Sequence, residues 1–120
     1  MVNFCVIGDE LMSGEQLKKL SRMKKLIKNG KRRFLSRKDR DYIQELLDIG
    51  ITEEDAWREI LQLTAYDYID DYRPIYYKVS DDALTFKKLV NGYKVYIKIK
   101  IEEYNNEEAT VCLSFHIDYK

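Results

Sequence analysis

The chain has 120 residues, of which 45% are hydrophobic and 35% charged, with five glycines and one proline. That size suits a single domain around one sizeable core and excludes a large two-domain enzyme. The composition excludes a disordered, collagenous or linker-like chain. No apolar run approaches the ~18–20 residues of a membrane span, and Met1–Ile7 lacks the basic region that opens a signal peptide. Cys5 and Cys112 make no disulfide framework, so buried thiols in a reducing cytoplasm are expected. With one histidine and no CxxC spacing, neither a metal nor a cofactor is expected. The expectation is therefore one cytoplasmic domain over residues 1–120, with residues 1–12 as an unplaced N-terminal arm.

The formal charge is zero, 21 basic against 21 acidic side chains, but the signs are segregated. Residues 1–40 carry twelve Lys/Arg and four Asp/Glu, residues 41–82 three and twelve, and residues 83–120 six and five. The basic first third, with Lys31-Arg32-Arg33 and Arg37-Lys38, is a candidate phosphate-contacting surface in which Arg32 and Arg33 stand out. The plainer reading is that helix surfaces are charged and that the two blocks attract each other.

In chain order, residues 3–7 suggest a short strand or an apolar arm ended by Gly8. Ser13 and Gln16 have capping-box spacing. The helix they open aligns Leu17, Leu20, Met23, Lys24 and Ile27 and stops at Asn29-Gly30. Residues 32–35 are short and extended. Ser36 is the expected cap of a second helix that buries Ile43, Leu46 and Leu47 and stops at Gly50. Thr52 and Asp55 form a second capping box, with Ile51 stapled onto Ala56, and open a helix over 53–63. That helix buries Ala56, Ile60, Leu61 and Trp57 and leaves Arg58 on a neighbouring face. Residues 64–68 suggest another short helical turn, and Pro74 forbids regular continuation.

From Ile75 the apolar period changes from 3.6 to 2. Residues 75–79 and 84–90 are predicted strands, and Asn91-Gly92 is a strong hairpin signal. Strand 93–101 places Tyr93, Val95, Ile97, Ile99 and Ile101 on one face and Lys94, Tyr96, Lys98 and Lys100 on the other. After a turn at 104–108, strand 109–117 is predicted to bury Val111, Leu113, Phe115 and Ile117 and to turn Cys112, Ser114 and His116 outward. The fold class is α+β, with N-terminal helices packed on one face of an antiparallel sheet.

Parity then gathers chemistry on one face. Both final strands bury odd-numbered residues, so facing positions share parity. A turn centred on Asn106 sets Tyr96 against His116, Lys98 against Ser114 and Lys100 against Cys112; a centre shifted by one residue moves the partners by two, still on that face. A tyrosine, lysines and the single histidine thus come within reach of one phosphodiester. Metal-free RNA cleavage needs such groups: a base for the 2′-hydroxyl, an acid for the leaving 5′-oxygen and a cation for the phosphorane. His116 can give or take a proton near neutral pH. Tyr96 can orient the phosphate or assist proton transfer, and Lys98 and Arg58 can hold charge. Lys94 and Lys100 are further candidate RNA contacts. A lone histidine among lysines on a strand is also what an ordinary solvated sheet face looks like.

Four segments, in order and compatibly spaced between about residues 19 and 117, resemble one family. Leu20-Ser21-Arg22-Met23-Lys24-Lys25-Leu26-Ile27-Lys28-Asn29-Gly30 is similar to the first helix of the motility quorum-sensing regulator (MqsR) toxins of type II toxin-antitoxin systems. Tyr72-Arg73-Pro74 resembles that family's Tyr-Arg-Pro element. Gly92-Tyr93-Lys94-Val95-Tyr96-Ile97-Lys98-Ile99 resembles its Gly-x-Val-Tyr-Leu-Lys-Ile strand, and Val111-Cys112-Leu113-Ser114-Phe115-His116 its last strand. Residues 51–68 are similar to more distant members.

The resemblance implies a RelE-like fold and an endoribonuclease that cuts mRNA without a metal and is neutralised by a cognate antitoxin. The family's strand tyrosine falls on Tyr96, a helix lysine on Arg58, the C-terminal strand lysine on His116 and a glutamine on Ile69. Arg58 keeps the charge without a proton-transfer role, whereas His116 makes proton transfer easier at neutral pH. Ile69 offers no polar group, with Asp67 and Tyr68 nearby, and Arg73 joins the candidate RNA contacts. Two other classes stay open: a non-catalytic RNA- or protein-binding regulator on the same fold, and a small inhibitor whose lysine face is plain surface.

Overall fold

The computed structural model describes residues 12–36, 38, 40–69 and 83–119, in which three α-helices cover one face of a five-stranded sheet. Helix α1, Gly14–Lys28, opens on the expected box. Ser13 Oγ accepts from the Gln16 amide at 3.1 Å, and Gln16 Oε1 accepts from the Ser13 amide at 2.9 Å. The helix buries Leu20, Met23 and Ile27, and Lys24 lies half in the same layer. The Lys24 ammonium donates to the Leu63 carbonyl, and burial holds its pKa below the ordinary lysine value.

Strand β1 is Arg32–Phe34. Helix α2, Tyr42–Ile49, is capped by Asp41 rather than by Ser36: Asp41 Oδ1 accepts from the Ile43 and Gln44 amides at 3.1 and 3.3 Å. Its inward stripe also differs from expectation. Leu46 and Ile49 are buried, while Ile43 and Leu47 are 54% and 61% exposed. The reason is Tyr42, which stacks on Phe34 with centroids 4.7 Å apart. This makes 42, 46 and 49 the core-facing set at helical spacing.

Helix α3, Glu53–Leu61, opens on the Thr52–Asp55 box, both bonds 3.1 Å long. Donation from Thr52, by its N–H first and then its hydroxyl, holds the Asp55 carboxyl below the usual carboxylate range. Ala56, Trp57 and Ile60 are buried; Leu61 is only half-buried, and Leu63 beyond the helix end is fully buried. A 3-10 turn, Ala65–Asp67, leads into strand β2, Tyr68–Ile69.

Strands β3 (Leu84–Val90), β4 (Tyr93–Tyr104) and β5 (Glu107–Ile117) form the meander. Both hairpins turn on two residues with positive φ, as tight hairpins require: Asn91-Gly92 and Asn105-Asn106. The strand order is β1-β5-β4-β3-β2. β1 runs parallel to β5, which makes the sheet mixed and corrects the wholly antiparallel expectation. The parallel pair arises because β1 follows α1 directly and lies along the outer edge of the last strand, with Leu35 N–H on the Cys112 carbonyl at 2.9 Å. The strand expected at 75–79 and the arm at 3–7 lie outside the described residues.

The second correction concerns register. Val95–Ile117, Tyr96–His116, Ile97–Phe115 and Lys98–Ser114 pair with shared parity, but Ile99 pairs with Cys112 and Lys100 with Val111. Leu113 is thus an extra residue, a β-bulge that flips the facing of everything before it on β5. Cys112 and Thr110 therefore point to the helices. Cys112 joins the core, and Thr110 Oγ1 donates to the Met23 carbonyl of α1 at 2.9 Å. Val111 turns to the opposite face, is still buried, and stands beside Lys100 and Arg33.

The turn of the first hairpin is tied to the helix layer by Asn91. Asn91 Nδ2 donates to the Ile49 carbonyl at 2.6 Å, and a side chain on Gly50 would meet the same nitrogen at 3.0 Å. Asn91→Gly should keep the turn and cost about 1 kcal/mol for the lost bond. Asn91→Ala should cost about 2 kcal/mol by adding the penalty of positive φ. Urea denaturation of both variants measures the difference.

Candidate functional site

The helices cover the face that carries Val95, Ile97 and Ile99, all fully buried. The alternate residues of β4, from Lys94 to Lys100, therefore line the opposite face. There Tyr96 and His116 face each other across β4 and β5, and their rings stack with centroids 5.3 Å apart and planes 22° from parallel. Both are half-buried. His116 Nδ1 lies 3.0 Å from the Ile117 carbonyl. Lys98 is the next residue on the same face, about 7 Å along β4, and pairs with Ser114.

Of the expected catalytic set, the structure brings Tyr96, His116 and Lys98 together. Arg58 is not with them. It projects from α3 in the helix layer, is 65% exposed, and bonds Asp55 Oδ1 at 3.0 Å. Lys94 and Lys100 flank the trio on β4, although Lys100 faces Val111 instead of the expected Cys112. Arg32 and Arg33 part company across β1. Arg32 bonds Glu54 of α3 at 2.7 Å and lies over the Trp57 ring at 5.7 Å, on the helix side. Arg33 pairs with Glu102 at 2.7 Å, on the lysine side. Arg73 lies outside the described residues. Ile69 pairs with Thr85 at the β2 edge.

Two residues of this face were not singled out by sequence. Lys87 of β3 is the direct neighbour of Tyr96, and Asp118 follows β5 and bonds Lys87 at 2.8 Å. The signal for Lys87 was present: the Asn91-Gly92 turn pairs 90 with 93, which sets 87 against 96. On the described part of this face the cations Lys87, Lys94, Lys98, Lys100 and Arg33 outnumber the carboxylates Asp118, Glu102 and Glu107. A surface of positive potential thus surrounds a stacked tyrosine–histidine pair. It can hold a phosphate, stack an unpaired base and move a proton.

No family model, curated protein or solved structure matches the chain. Among the described residues no helix is long and apolar enough to cross a membrane.

The bulge removes Cys112 from this face. Its thiol is fully buried, donates to the Ser114 carbonyl at 3.3 Å, and is pushed far above the ordinary cysteine pKa by desolvation. In a Cys5→Ser background, Cys112 should react with Ellman's reagent about a hundredfold more slowly in the native state than in urea. Rapid native reaction would place the thiol on the lysine face.

Proposed function

We propose that the chain is a toxin-type endoribonuclease that cuts mRNA by metal-independent acid–base catalysis in the cytoplasm and is neutralised by an antitoxin protein. The reading includes the RelE-like variant of the α+β fold. The observation that carries it is the Tyr96–His116 stack with Lys98 one step along the same face; the motif resemblance supports it independently.

In this reading His116 takes the proton of the ribose 2′-hydroxyl, and the 2′-oxygen attacks phosphorus. The P–O5′ bond breaks and the leaving oxygen gains a proton, with Tyr96 orienting the phosphate or assisting that transfer. The products are a 2′,3′-cyclic phosphate and a 5′-hydroxyl, with no atom lost or added. Lys98 stabilises the charge that grows on the phosphorane oxygens. Arg58, bound to Asp55 in the helix layer, takes no part in the step.

A second reading, the non-catalytic binder, is favoured by one feature. Helix α1 exposes Lys18, Arg22, Lys25 and Lys28 on the helix layer, away from the stacked pair. Such a protein would show salt-sensitive RNA affinity without products.

Single-stranded RNA incubated with the protein in EDTA decides between the two. Cyclic-phosphate ends are expected, with the rate reduced about a hundredfold or more in His116→Ala and about tenfold or more in Lys98→Met. Equal cleavage by wild type and His116→Ala would refute the catalytic role, and binding without cleavage would establish the second reading.

A further inference from the structure

Register alone lays Lys87, Tyr96 and His116 in one row across β3, β4 and β5. Beside that row, Lys87 Nζ meets Asp118 Oδ2 at 2.8 Å. The strands that supply them flank β4 and lie roughly 10 Å apart. The ion pair therefore crosses over the middle strand, between Tyr96 and Lys94. Asp118 is brought there by its backbone: its N–H donates to the Lys94 carbonyl at 2.8 Å and prolongs the ladder one step beyond β5. The Asp118 side chain is only 11% exposed and that of Lys87 32%, so this pair is less open to solvent than Arg33–Glu102 or Arg58–Asp55 and less screened by salt.

The histidine ring is held from another direction. A carbonyl oxygen only accepts, so the contact of His116 Nδ1 with the Ile117 carbonyl puts the hydrogen of the neutral ring on Nδ1. Nε2 then carries the lone pair. Two rings on a solvated sheet face would otherwise sample several rotamers, and a proton-transfer group loses rate steeply when its geometry loosens.

We propose that Lys87 and Asp118 are positioning residues whose ion pair closes the Lys94 flank of the Tyr96–His116 stack, so that a phosphodiester reaches His116 Nε2 from the Lys98–Ser114 flank. The substrate part of this proposal rests on the ribonuclease reading; the positioning part does not.

His116 is the only histidine of the chain, so its ring signals in an NMR spectrum belong to one residue. Lys87→Met, Asp118→Asn and the exchange Lys87→Asp with Asp118→Lys would be compared with wild type, by ring 1H and 15N shifts and by RNA cleavage. In wild type the neutral ring is expected to carry its hydrogen on Nδ1, with ring protons shifted by the Tyr96 face. In either single variant those protons should move toward free-histidine values while the remaining amide spectrum holds. The same variants should lose about tenfold or more in kcat, with KM changed by about twofold at most, and the exchange should recover part of both effects. Unchanged His116 signals in the single variants, or hydrogen on Nε2 in wild type, overturns the proposal. Should Asp118→Asn fail to fold, Lys87→Met carries the test alone, because its charged end is partly solvated. Ring signals that respond in a protein unable to cleave RNA would uphold the positioning pair and refute the ribonuclease reading.

Discussion

The pairing of β4 with β5 governs the rest of the molecule. Val95, Ile97 and Ile99 have no solvent exposure, so β4 cannot slip by one residue without moving its whole apolar set into water. That constraint places Lys94, Tyr96, Lys98 and Lys100 on the other face together. The bulge at Leu113 acts on the partner strand alone: it reverses β5 on one side of Lys98 and leaves His116 opposite Tyr96 on the other. One extra residue therefore serves two ends, sending Thr110 and Cys112 to the helices while keeping the histidine on the lysine face.

Much of this was legible because it follows from short-range rules. The boxes at Ser13–Gln16 and Thr52–Asp55, the Asn91-Gly92 turn and the strict alternation of β4 each fix local geometry, and parity puts Tyr96, Lys98, Ser114 and His116 on one face, while the turn and the bulge together decide which of them pair. What stayed hidden depended on contacts far apart in sequence. Val111-Cys112-Leu113 is a run of three apolar residues, so neither facing betrays itself and the bulge leaves no trace. The face of α2 is chosen by the stack of Tyr42 on Phe34 of β1, a contact that helical periodicity cannot rank against Ile43 and Leu47. The parallel position of β1 rests on three residues, too few to show a period. In the candidate site, Arg58 looked equivalent to the strand residues until its helix was placed on the other layer.

The segregated charge of the sequence becomes a spatial division with a different outline. Carboxylates of α3 and β4 take up Arg32 and Arg33, and Glu59 takes up Lys88 at 2.8 Å. Of these three pairs only Arg32–Glu54 joins the basic block to the acidic one, the attraction that the plainer reading of the charge pattern expects; the other two involve the last third of the chain. The cations of the stacked face come mostly from the last third of the chain, whose net charge is close to neutral. Position on one face, rather than overall composition, is what produces the positive surface there.

The most direct test of a catalytic outer face is a titration of the 15N-labelled protein with a 2′-O-methyl RNA oligonucleotide, which lacks the attacking hydroxyl. Amide and ring shifts are expected to change along Tyr96, Lys98, Ser114 and His116, with little change on α1. Changes confined to Lys18, Arg22 and Lys25, with the His116 ring unmoved at saturation, would contradict it.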